Sequence, residues 1–173
     1  MVMKQAAILI AGGAALMLAA CGSETSGEFE TADGKNAEYT IDKETGETNM
    51  TIKGEDGEAT LRAGTNVPVS LPAGFTLFPG SKVVNNAVVN QPDGQGTMIT
   101  FESDAPADKV VAHYRDAAKA AGFDIQLEMN TNGTQMVAGE RKADSATISV
   151  TATPGEAGAV TTGQIIIATK KSG

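Results

Sequence analysis

Past residue 21, a single stretch of this chain carries apolar residues at helical spacing. Over Ala105 to Ala121, Val110, Tyr114, Ala117, Ala118 and Ala121 fall on one stripe, and Asp108, Arg115, Asp116 and Lys119 cover the far side. Ser103 or Asp104 can cap the start, Pro106 suits the first turn, and Gly122 stops the helix. The segments around it alternate with period two. Val83 to Asn90 and Gly96 to Ser103 read as a hairpin around "QPDGQG", with Met98, Thr100 and Glu102 on one face and Ile99 and Phe101 on the other. Phe123 to Met129, Gln135 to Arg141, Thr147 to Thr153 and Gln164 to Thr169 read as four more strands. The tight "NTNG" and "KADS" connections make the first three of these antiparallel, and the three consecutive isoleucines of "GQIIIATK" read as a strand buried on both faces. Residues 75–170 are therefore expected to form an α+β domain, one helix packed on an antiparallel sheet in the order β-β-α-β-β-β-β.

Upstream, residues 65–74, "TNVPVSLPAG", hold two prolines and mark a linker. Residues 29–64 repeat a short alternating run followed by a glycine turn: "FETADG", "YTIDKETG", "MTIKGEDG", "TLRAG". That spacing predicts a β-meander, with Met50 and Ile52 on one side and Thr51 and Lys53 on the other. The segment is strongly acidic: residues 22–66 carry 11 acidic and 4 basic residues, against 10 and 8 in residues 67–173. With so few apolar residues to offset this charge, a partly disordered stalk is the alternative. The formal net charge of the whole chain is -8, which disfavours nucleic acid and anionic headgroups as partners.

Membrane attachment has another source. Lys4 precedes the apolar run "AAILIAGGAALMLA", Ala6 to Ala19, which is shorter than the roughly 20 residues of a bilayer span. The sole cysteine follows directly, in "LAAC". Leu18, Ala19, Ala20 and Cys21 resemble the lipobox of bacterial lipoproteins. The resemblance implies a signal peptide over residues 1–20, recognised through Leu18, Ala19 and Ala20, and cleavage before Cys21. The Cys21 sulfur would carry a diacylglyceryl group and its freed amine a further acyl chain such as palmitate. Two or more chains hold a protein at a bilayer where one is marginal. The remaining polar residues to 28 read as a tether. Gly22 and Ser23, with no aspartate beside the cysteine, imply the periplasmic face of the outer membrane of a Gram-negative host.

A second resemblance covers about residues 72–130. Phe78-Pro79-Gly80-Ser81, then Tyr114 in the helix and Gly122-Phe123 after it, are similar to uncharacterised exported and lipid-anchored bacterial proteins that carry a "YPGA"-like stretch. The resemblance supports the architecture and implies no activity.

Signals for chemistry are sparse. His113 is the only histidine, and lipidation would consume the only thiol, so no zinc set can be assembled. Asp116 could orient His113, but Ser81, Ser103, Ser145 and Ser149 lie in no nucleophile elbow. Glu55, Asp56 and Glu58 sit in a glycine-flanked turn. "DKETGETN", Asp42 to Asn49, lacks the order of a calcium loop. No catalytic residue, metal or cofactor is expected. Phe75, Phe78, Tyr114 and Phe123 read as core, or as the lining of a candidate apolar pocket. The expected role is a lipid-anchored, non-enzymatic envelope module that binds an envelope partner, with strand addition at a sheet edge as one route. The alternatives are a carrier of a small apolar ligand, an enzyme acting on envelope polymers, and a purely structural stabiliser.

Overall fold

The computed structural model describes residues 23–32, 34–55, 57–156 and 159–170. The signal segment, Leu18, Ala19, Ala20 and Cys21 lie outside the described residues. Among the described residues, no helix is long and apolar enough to cross a membrane.

The fold is α+β, one helix on a large antiparallel sheet. Strands β1 (Glu24–Glu30), β2 (Asn36–Asp42), β3 (Thr48–Gly54) and β4 (Gly57–Gly64) form the acidic meander. Strands β5 (Lys82–Gln91) and β6 (Gly94–Ser103), helix α1 (Ala107–Ala120), then β7 (Asp124–Thr131), β8 (Thr134–Arg141), β9 (Ala146–Thr153) and β10 (Thr161–Lys170) complete it. All ten strands make one sheet, in the order β1-β2-β3-β4-β5-β6-β10-β9-β8-β7. After β6 the helix carries the chain to the far edge. Strands β7 to β9 then meander back, and β10 closes the gap by pairing with both β9 and β6.

Two expectations change, and one pairing is new. Residues 24–28, read as tether, already pair with β2 as the first strand, so only Ser23 of the described chain precedes the sheet. The meander joins the same sheet as the rest, because β4 pairs with β5 across the 65–81 connection. Strand β10 is buried on one face alone: Ile165 and Ile167 are 1% and 2% exposed, whereas Ile166 is 41% exposed. A strand's side chains alternate, and here only one face of the sheet has a second layer.

That layer is α1, which rests on β7 to β10. Val110, Tyr114 and Ala118 from the helix meet Phe101, Val137, Ile148, Val150, Ile165 and Ile167 from the sheet. Neither Ser103 nor Asp104 caps the helix. Pro106 takes the cap position, and its carbonyl accepts the N–H groups of Lys109 and Val110. The Ser103 hydroxyl instead accepts the N–H of Ala105 at 3.2 Å. At the other end Gly122 has φ +83°, and the Gly122 and Phe123 N–H groups donate to the Lys119 and Ala118 carbonyls. This pairing is the Schellman motif, which glycine adopts without a Cβ penalty. It drops Phe123 straight into the core.

Candidate functional site

The four residues expected around a pocket do come together beneath the helix and the 65–81 strap. The rings of Phe75 and Phe123 meet edge-on at 5.9 Å, and that of Tyr114 lies 6.0 Å from Phe101. Phe75, Tyr114 and Phe123 are buried and Phe78 half-buried. The Tyr114 phenol oxygen accepts the Phe78 backbone N–H at 2.7 Å, pinning the strap to the helix. Burial pushes the Tyr114 hydroxyl up to about 12. His113 stands between Phe78 and Tyr114, edge-on to both rings at 5.4 and 4.9 Å. Its Nε2 is buried without a hydrogen-bond partner. The aromatic cluster is packed core: side chains occupy the space where an apolar ligand would sit.

Polar groups around this body hold the chain rather than face a cleft. The Arg141 guanidinium forks onto Asp144 at 3.0 and 2.8 Å, donates to the Ala121 carbonyl at 3.1 Å, and lies over the Phe123 ring at 4.7 Å. The pair holds Arg141 above and Asp144 below their ordinary values. Buried Asn86 donates to the Val67 and Pro68 carbonyls, which ties down the start of the strap. In the Asp42–Asn49 turn, the Asp42 carboxylate accepts the N–H groups of Glu44 and Thr45, both at 2.8 Å. Those bonds hold its pKa below the usual carboxylate range. Among the described residues no three acidic, histidine or cysteine side chains gather as a metal site would require.

A family model described as START domain-like matches residues 83–163. No curated protein and no solved structure matches the chain. The START domain-like stretch covers β5 to the start of β10 with the helix between, and leaves β1 to β4 outside. The match is compatible with a ligand-binding carrier module.

Outside that stretch, the register exposes something the sequence alone did not. Directly opposed residues share a face of the sheet. One row runs Phe29, Ala37, Ile52, Ala59 across β1 to β4. The next runs Gly27, Tyr39, Met50, Leu61, Val89, and a third runs Thr25, Ile41, Thr48, Ala63, Ala87. The third row continues through Met98 to Ile166, which point away from α1. The apolar side of the meander is therefore on the face opposite the helix, and the sheet changes its apolar side near β5.

All eight charged residues within β1 to β4, Glu24, Glu28, Glu30, Glu38, Asp42, Lys53, Glu58 and Arg62, lie on the other face. This segregation places like charges directly across from each other, Glu28 against Glu38 and Glu24 against Asp42. Such pairs are destabilising. Lys53 relieves one of them by bonding Glu38 at 2.8 Å.

The charge-free face has no second layer of helix or sheet: among the helix and strands, β1 to β4 touch only neighbouring strands. Phe29, Ile41 and Ile166 are exposed, and Met50, Ile52 and Leu61 are half-buried by one another. A Cβ at Gly27 would stand 2.7 Å from the Tyr39 phenol oxygen, so the tyrosine ring lies flat over that glycine. Shallow grooves border this surface: one of about 240 Å³ lined by Ile52, Ala59 and Pro92 with Lys35 and Asp93, one of about 260 Å³ floored by Gly96 and Ala168, and one of about 460 Å³ at the β1–β2 edge, where Phe29 and Ala37 stand beside Glu28, Glu38 and Lys53. The first two fall short of the ~300 Å³ at which small-molecule pockets begin, and the third is lined mostly by charged side chains.

Proposed function

We propose that the chain is a lipid-anchored, non-enzymatic binding module of the cell envelope, which binds through the uncovered face of its sheet. One observation carries this reading: a face with no charged strand residue runs across β1 to β4, continues in apolar residues through Val89, Met98 and Ile166, exposes Phe29, Ile41 and Ile166, and has no helix or strand packed on it. Contiguous exposed apolar surface marks interaction sites. The edges of the sheet favour the face over strand addition. Edge strand β1 carries Glu24, Glu28 and Glu30, and edge strand β7 carries Asp124 and Glu128, charges that discourage pairing with another chain. The lipobox-like Leu18 to Cys21 stretch supplies the anchor, and an outer-membrane position facing the periplasm follows from Gly22 and Ser23.

A carrier reading is favoured by the START domain-like match. It requires Phe75 and Tyr114 to leave the space beneath the helix, so the surface reading is the better fit.

The test is thiol labelling in intact envelopes. A Leu61→Cys form should react with a water-soluble maleimide at least tenfold more slowly than Thr51→Cys, which sits next to it on the opposite face. After detergent extraction the difference should shrink. Equal rates in the envelope would overturn the reading.

A further inference from the structure

We infer that the occupant of the uncharged face is a second copy of this chain, so that two meanders pack face to face as a β-sandwich. This rests on the surface reading above and names its partner.

Domains are built from at least two layers, and the body from β5 to β10 has its second layer in α1. Strands β1 to β4 have none. The missing layer must suit a surface whose strand residues are apolar or uncharged, with Tyr39 laid over Gly27 and with Lys35 and Asp93 at one rim. A second copy offers that same surface. Every charge within β1 to β4 points the other way, so two strongly acidic meanders can meet without bringing like charges across the interface. An anionic bilayer would instead meet the acidic rim of the segment and be repelled.

Size also fits. Five strands of about seven residues span on the order of 550 Å² in projection. Side chains standing on that area raise its accessible surface toward the ~800 Å² that each partner buries in a standard interface. Two-fold symmetry would place the same patch on both subunits, with the sheets about 10 Å apart. Met50 and Leu61, directly opposed at the centre of the patch, would be closest to the axis.

The experiment uses the full chain in bacterial envelopes, with a bismaleimide spanning roughly the 10 Å between packed sheets. Leu61→Cys or Met50→Cys should give a product of twice the chain mass. Thr51→Cys and the unsubstituted chain should not. Adding Leu61→Glu to Met50→Cys should reduce the product at least tenfold. Slow labelling at position 61 without self-linking would overturn the second copy while leaving the surface reading intact. Fast labelling without self-linking would overturn both. Linking of equal yield in the unsubstituted chain would show that the product does not come from this face, and would overturn the dimer.

Discussion

The phenol oxygen of Tyr114 sits 2.7 Å from the backbone nitrogen of Phe78 and accepts its hydrogen. That bond ties the strap to the helix, beside the edge-on Phe78–His113 contact, at a tyrosine that is fully buried. Removing the acceptor leaves a sequestered N–H with no partner, and such a group costs roughly 1–3 kcal/mol. A Tyr114→Phe chain should unfold at lower urea concentration by that amount with an unchanged m-value. A loss below 0.5 kcal/mol, on the same order as an ordinary surface substitution, would show that water or another group replaces the bond.

The same tyrosine sets an alkaline limit. Its hydroxyl ordinarily titrates near 10 and is pushed up to about 12 in the folded chain. The unfolded chain therefore releases this proton first. The stabilising contribution is complete below pH 10 and declines as pH rises toward 12. Thermal unfolding followed by circular dichroism should show stability falling more steeply across that interval for the native chain than for Tyr114→Phe. Parallel curves would contradict the assignment.

Neighbouring isoleucines of β10 should behave unlike each other. Ile165 is 1% exposed under the helix, and Ile166 is 41% exposed on the opposite face. Ile165→Ala should cost about 2–5 kcal/mol, the range for emptying a packed core position. Ile166→Ala should cost well under half of that in the isolated chain, with side-by-side denaturant titrations as the check. Equal losses would mean that both faces of β10 are covered.

That contrast shows where alternation stops being informative. Helix α1 was legible from its stripe, and the strands from their period of two. Met50 and Ile52 were correctly placed on one side of β3. A strand pattern does not say which of its two faces meets a helix some 50 residues later, because the 65–81 connection leaves the register of β4 on β5 open. Three isoleucines in a row carry no alternation at all, so the exposure of Ile166 had no signal. The β1 pairing was hidden in "ETSGEFE", whose small and polar residues resemble a tether. The aromatic quartet was legible as a cluster: the spacing of Tyr114 and Phe123 around Gly122 points both inward. Its being filled was not, since occupancy depends on how closely the strap packs. The uncharged face could have been suspected from the strict placement of acidic residues at alternate positions in β1 and β2.

The account depends on Cys21 holding this sheet at a membrane, and the intact mass of the chain processed in a bacterial envelope tests that directly. The predicted product begins at Cys21 and carries a diacylglyceryl group with a further acyl chain, and a Cys21→Ala form retains its first 20 residues. A processed chain without acyl mass, or one cut at another residue, would contradict it.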